Sequence, residues 1–352
     1  WEGLPAPELS RCLISPGEGI TGGSKLIRCL MAALEKKGVA IHYNTKAVSL
    51  VKDECFNVEG VSCITPEGRK DYLARGGVIL TTGGYGANEA MVDKYIGPWA
   101  SRLIVRGSPW ITGENILMAE EVQALLVNMD QFYAGPITPT GHCNPSPLMH
   151  AGYGIQVNTK GKRFVPETWL QVPKAKAIAE RTEDNRSFML IGADADKNAQ
   201  ILTNTIKRFA RLGFEVIKAD TIEEAAKKAG VPEKNLVETV REFNAAVKAG
   251  KAKELDPPYD YDEPHALETG PFYMIPAAGG MASTFGGPKI NKDAQVVNFE
   301  RRPIPGLYAA GAAAGGVWVY DDIGGNQLGG GMVFGRVAAR HAAGRAASRK
   351  NA

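Results

Sequence analysis

The chain has 352 residues, enough for two domains, and its 44% hydrophobic and 22% charged content is that of an ordinary globular protein. A formal charge of +3 leaves no basic surplus for nucleic acid or an anionic membrane, and no apolar run approaches the about 20 residues that span a bilayer. Cys12, Cys29, Cys55, Cys63 and Cys143 are odd in number and lack CxxC spacing, so reduced thiols in a cytoplasmic setting are expected. No secretory or transit signal is visible, and no cluster of His, Cys and carboxylates has metal-ligand spacing.

Residues 1–95 read as α/β. Gly17-Glu18-Gly19-Ile20-Thr21-Gly22 matches G-x-G-x-x-G formally. Only Arg11–Ile14 precedes it, Pro16 intervenes, and the second strand closes on Tyr43-Asn44 where an acid is needed, so it is a poor dinucleotide fingerprint. A helix follows over Lys25–Lys36, then strands Val39–Tyr43 and Ala47–Lys52 and a hairpin through Val58–Thr65 and Lys70–Arg75. A buried strand, Val78–Thr82, ends in a glycine turn, Gly83-Gly84. From 96 to about 270 the chain changes to proline-rich loops (Pro136, Pro139, Pro145, Pro147) and a helical tail. In that tail Thr221 caps Ile222–Ala229, and Pro232 starts a helix that runs to about Ala249. Strands return after Pro271: Phe272–Ile275, Lys289–Asn291, Ala294–Val297 and the apolar run Leu307–Ala310, closed by Gly311. A glycine-rich crossing then leads to a helix starting near Gly329, with Met332, Val333 and Val337 at helical spacing.

Glycines this dense at a helix start let backbone amides and the positive helix end approach a flat, electron-rich ligand. With the landmarks that follow, this segment resembles FAD-dependent oxidoreductases of the fumarate reductase and 3-ketosteroid dehydrogenase superfamily. Gly22, Gly23 and Leu26 sit where that family has a GG-x-x-L helix, and Gly38–Leu50 resembles its strand–turn–strand near the adenosine. Gly76–Asn88 (GGVILTTGGYGAN), Asn158–Glu167 (NTKGKRFVPE), Thr284–Gly287 (TFGG) and Gly306–Arg336 are similar to four further landmarks, in family order.

The resemblance implies an α/β fold with an α+β cap, that is, a Rossmann-like FAD-binding domain (1–95 and 271–352) interrupted by a substrate-binding cap (96–270). The family's own phosphate-binding fingerprint would lie upstream of residue 1, so the chain is expected to be a fragment, or one half of a protein completed by a second chain. For FAD, the implied contacts are Ala47 at the adenine, Thr82, Gly83 and Gly84 at the strand end, Ser283 against the isoalloxazine, and Gly311. Gly325, Asn326, Gln327 and Leu328 are implied at the flavin edge, with Thr284 beside Ser283. The resemblance also implies a structural ion pair for Arg163, with Glu167 on the same turn as its partner.

The departures from the pattern matter as much. Where the family has an acid on the ribityl hydroxyls, this chain has Ala312; the TGDG loop is Thr112-Gly113-Glu114-Asn115. Both family proton-donor roles fall on Gln171, which cannot transfer a proton near neutral pH. The substrate-binding arginine, a histidine and a relay arginine fall on Asp322, Ala282 and His150. A dicarboxylate needs cationic partners. The resemblance therefore implies hydride exchange next to a carbonyl, on a neutral cyclic ketone or an enoate rather than fumarate. Tyr320, His150 and Asp321 are the candidate catalytic residues, with Tyr133, His142 and Trp169 near the same pocket. Each competes with a plain role: a loop tyrosine, a loop histidine, and a solvated turn for one of Asp321 and Asp322. The rival reading is a degenerate flavoprotein subunit, inactive without a partner chain.

Overall fold

The computed structural model describes residues 22–139, 154–193, 216–319 and 326–350, with scattered helical positions between 203 and 210. Helix α1 (Gly22–Lys36) precedes an antiparallel meander, β1 (Lys46–Lys52), β2 (Val58–Thr65) and β3 (Gly68–Leu73), followed by β4 (Val78–Leu80). Next come α2 (Glu89–Tyr95), β5 (Ile104–Val105), α3 (Glu114–Glu120), β6 (Leu126–Val127), β7 (Phe132–Ile137), β8 (Gly154–Asn158), α4 (Gln171–Arg181) and β9 (Ser187–Gly192). The order then runs β10 (Ile217–Ala219), α5 (Ile222–Ala229), α6 (Glu233–Lys248), β11 (Phe272–Thr284), β12 (Gly287–Pro288), β13 (Gln295–Val297), β14 (Pro303–Ala309) and α7 (Asn326–Lys350).

Strand β11 organises the molecule. Its first half pairs with β9 and β10, and its second half pairs antiparallel with β7 and parallel with β5. The sequence predicts only Phe272–Ile275 of it, because Pro276 and the Ala-Ala-Gly-Gly that follows have low strand propensity. Pairing with β9 up to Ala277 and with β7 from Ala278 onward supplies backbone partners and overrides that preference. The parallel pair β4 and β14, with Leu307 opposite Val78 and Ala309 opposite Leu80, forms a second sheet, and β13 lies antiparallel on the other side of β14.

Elsewhere the hydrophobic pattern reads well. Thr221 caps α5 by accepting from the Glu224 N–H at 3.1 Å, and β2 has the predicted bounds. Two expected strands differ. Val39–Tyr43 is not a strand: among the described residues no neighbour pairs with it, and Val39, Ile41 and Tyr43 are exposed. Lys289–Asn291 is reduced to isolated bridges, Lys289 with Gly315 and Ile290 with Val296. Helix α4 escapes the sequence pattern because Pro173 reads as a breaker, yet in a first turn the missing N–H has no helical partner to lose.

Two cores support the site. Leu50, Val58, Leu80, Met118, Ile304 and Leu307 bury together where α3 meets β1, β2 and the parallel pair. On the other flank Tyr308, Ala338, Phe334 and Val337 pack α7 against β14, and the Tyr308 hydroxyl meets His341 Nδ1 at 2.9 Å. Each such large side chain contributes about 1.5–3 kcal/mol by burial. Among the described residues no helix is long and apolar enough to cross a membrane.

Candidate functional site

A cavity of about 750 Å³ opens where β1 starts, β2 turns into β3, and β4 ends; Asn44–Ala47, Ile64–Pro66, Thr82, Trp110, Thr112 and Glu114 line it. That volume lies within the range of small-molecule sites. Ala47 and Thr82, both expected at a cofactor from the sequence, share this wall. Glu114 is fixed by the Thr112 hydroxyl, which donates to its Oε1 at 2.5 Å, and by Lys46 Nζ at 3.1 Å from the same oxygen. Burial alone would raise its carboxyl; the Thr112 hydroxyl, its own backbone N–H and the Lys46 ammonium outweigh this and hold it below the usual carboxylate value.

The glycine turn after β4 meets the end of β11. Gly83 has φ +80°, and a Cβ there would lie 2.7 Å from Ile111. At Gly84 a Cβ would overlap the Thr284 hydroxyl, which accepts from the Tyr85 N–H at 3.0 Å. One residue earlier, Ser283 Oγ accepts from Gln327 Nε2 at 2.9 Å, tying the first turn of α7 to β11. Leu328, next along, is exposed. Gly311 has φ +67°, and a Cβ there would lie 3.8 Å from the Gly331 Cα, so this turn and α7 nearly touch. Asn115 Nδ2 binds the Ala313 carbonyl at 2.9 Å, while Asn115 Oδ1 is buried and unpaired. Thr82, Gly83, Gly84, Ser283, Thr284 and Gln327 are thus linked in space through segments far apart in sequence. For Asn326 the structure gives its backbone position at the start of α7.

Beyond β11 lies a neutral polar pair. Tyr133 stands opposite Ser283 across the β7–β11 ladder, and its hydroxyl donates to Gln171 Oε1 at 3.2 Å. Gly135 makes room, since a Cβ there would lie 2.8 Å from that oxygen. Beneath, Arg163 Nε and Nη2 bind Glu167 at 3.0 and 2.6 Å with both side chains buried, as the sequence implies. Burial drops the Lys174 ammonium to about 8, against the upward pull of Glu167. Tyr320, His150, Asp321, Gly325, His142 and Asp322 lie outside the described residues. Trp110 and Lys46 were not singled out by sequence reasoning; the one available signal was a tryptophan in a polar loop, Gly107-Ser108-Pro109-Trp110.

A family model described as FAD binding domain matches residues 8–328. The chain is 31% identical over 329 residues to the NADH:acrylate oxidoreductase of Vibrio harveyi, covering 91% of this chain and 32% of that protein. The open conformation of a flavocytochrome c3 fumarate reductase superposes with a TM-score of 0.79 at 29% identity, over 94% of this chain and 57% of that one. The 3-ketosteroid-delta4-(5alpha)-dehydrogenase of Rhodococcus jostii RHA1, solved with 4-androstene-3,17-dione, gives a TM-score of 0.65 at 27% identity, over 92% and 64% of the two chains. The chain spans about half the length of the curated fumarate reductases it matches.

Proposed function

The chain belongs to the FAD binding domain family, and from that premise we propose that it is the FAD-binding part of an oxidoreductase that makes or reduces a carbon–carbon double bond next to a carbonyl. The observation that carries this is the meeting of Thr82–Gly84, Ser283–Thr284 and Gln327 at a strand end whose Thr82 lines the 750 Å³ cavity. The residues present fit a flavin dinucleotide: glycine where no side chain has room, a carboxylate for sugar hydroxyls, and a buried unpaired acceptor at Asn115 Oδ1.

When bound, the flavin supplies the two-electron hydride chemistry. The remaining work belongs to this chain. Gly83 and Gly84 let Ile111 and Thr284 close against the strand end, and Gln327, held by Ser283, would offer neutral hydrogen bonds to the flavin edge. Ala47 would meet the adenine, and Gly311, Gly325, Asn326 and Leu328 would hold the flavin, as the family resemblance implies. Protons come from Tyr320, His150 or Asp321. At the positions where the family's proton donor and histidine would stand, Gln171 and Ala282 are uncharged, which supports a cyclic ketone or an enoate over fumarate.

Anaerobic photoreduction of the flavin-loaded protein, then reoxidation by cyclic enones, monocarboxylic enoates and fumarate, tests this. Fast reoxidation by an enone or enoate is expected, and fast turnover of fumarate would refute the substrate assignment. A second reading, in which FAD is held only together with another chain, is favoured by the exposed apolar residues Ile27, Leu30, Leu328, Met332 and Val333. Failure of the purified chain to take up FAD by dialysis would select it.

A further inference from the structure

We propose that Lys174 is the proton store of the substrate site: its ammonium, buried one turn into α4 from Gln171, resupplies the donor that protonates the substrate. This rests on the reading above, yet Lys174 is not among the positions that the family pattern supplies.

Lys174 is 1% exposed, which is rare for a lysine. Its place makes the ammonium harder still to keep, because a cation in the first turns of a helix meets the positive end of the dipole. Arg163 brings a second buried cation. The Glu167 carboxylate, which attracts both, already accepts from Arg163 Nε and Nη2 and from the Gln156 N–H at 2.9 Å. Two cations thus share one buried carboxylate. Packing would be served better by an apolar side chain of similar volume, so a lysine at this position points to proton chemistry.

Its position on α4 connects it to the site. Residues three apart on a helix have Cβ atoms about 5–6 Å apart, and side chains lean toward the helix N-terminus. The Lys174 stem therefore starts beside Gln171, which meets the Tyr133 hydroxyl, and Tyr133 stands across the ladder from Ser283. The helix is pressed on β11 as well, since a Cβ at Gly279 would lie 2.5 Å from the Ala175 carbonyl. Gln171 and Val172 are half-buried, so solvent protons reach this first turn. Among the described residues, the titratable groups around Lys174 are Glu167 and Arg163 from the segment after β8, Tyr133 from β7, and Tyr259 and Tyr261 from the segment before β11. Burial pushes the Tyr259 and Tyr261 phenols up and drops the Lys174 ammonium to about 8, so near neutral pH the ammonium holds a proton that it can release.

Reduction of the double bond adds hydride to the β-carbon and a proton to the α-carbon. The terminal donor breaks its O–H or N–H bond as that C–H bond forms. It then takes a proton from the Lys174 ammonium, and the neutral amine left behind is reprotonated from solvent. The resupply moves protons only; both electrons travel with the hydride.

The test uses the FAD-loaded full chain with 2-cyclohexenone. The first reoxidation of photoreduced protein is followed by stopped-flow absorbance, and repeated turnover is followed with dithionite as reductant. In wild type, repeated turnover should slow above pH about 8 as the ammonium loses its proton. Lys174→Met should leave the first reoxidation near wild type and slow the later turnovers about 100-fold, the low end of what a proton-transfer group contributes. Lys174→Arg keeps the charge but releases no proton in this range, so it should be as slow as Lys174→Met. A wild-type rate in Lys174→Arg would leave Lys174 a structural cation and overturn the proposal. So would a first reoxidation slowed as much as the later ones, or a wild-type rate unchanged from pH about 7 to about 9.5. A readout apart from activity is the titration of the Lys174 ammonium by NMR of isotope-labelled lysine in the flavin-free chain, assigned by its loss in Lys174→Met. Titration near 8 is expected, and titration near the ordinary lysine value of about 10.4 would overturn the store. A loaded wild-type chain that no enone or enoate reoxidises would overturn the proposed function, and the store with it. Far-UV circular dichroism and FAD retention check that the variants fold.

Discussion

Replacing Gly84 by Ala tests the joint between the glycine turn and β11 directly. A methyl there would overlap the Thr284 hydroxyl, and Thr284 is fully buried, so the hydroxyl has nowhere to swing. Gly84 itself does not have the left-handed φ that Gly83 has, so the backbone tolerates alanine and the effect is steric. Overpacking of this kind costs about 1–3 kcal/mol. If Thr284 yields, the buried Tyr85 N–H loses its acceptor at 3.0 Å, for about another 1–3 kcal/mol. The single variant should therefore lose about 2–6 kcal/mol in urea unfolding followed by circular dichroism. Thr284→Ala alone leaves only the orphaned N–H, about 1–3 kcal/mol. In the double variant the methyl introduced at position 84 occupies the vacated space, so its cost should stay near that of Thr284→Ala, and the coupling should equal the cost of Gly84→Ala alone, about 2–6 kcal/mol. A Gly84→Ala midpoint equal to wild type, or strictly additive losses, would show that the two segments do not touch as described.

Other consequences are equally concrete. Glu167→Gln strands the buried Arg163 guanidinium and should destabilise the fold by about 3–5 kcal/mol, whereas Arg163→Met with Glu167→Leu should recover much of that loss in the same unfolding assay. Lys174 has a folded pKa lowered to about 8, so the unfolded chain binds more protons between about 8 and 10.5 and stability should rise with pH across that window. The gain is up to about 3 kcal/mol, read as the difference between wild type and Lys174→Met, which also cancels the opposing effect of the buried tyrosines Tyr259 and Tyr261. Gln327→Ala cuts the bond to Ser283 and should weaken FAD retention about tenfold in dialysis while changing the unfolding midpoint little.

Much of the candidate site was legible because its chemistry is local. The turn Thr82-Gly83-Gly84, the glycines of the closing helix, and Arg163 with Glu167 four residues on are short strings whose backbone and ion-pair demands are nearly independent of the rest of the fold. Trp110 was not legible, since nothing in Gly-Ser-Pro-Trp-Ile says which neighbour faces inward. The pairing of Gln171 with Tyr133 also escaped, because the two lie 38 residues apart and meet only when α4 packs beside β7.

The amino-acid order by itself determined the short-range features: caps such as Thr221, the period of β2, and the glycine turns whose φ angles other residues adopt at a cost. Tertiary structure decided what depends on a partner. Val39–Tyr43 has strand-forming residues and no strand beside it among the described residues, while Pro276–Gly280 has poor ones and pairs first with β9 and then with β7. The physical reason is that a strand's hydrogen bonds lie outside its own segment, so local preference yields wherever neighbouring backbone is, or is not, there to receive them.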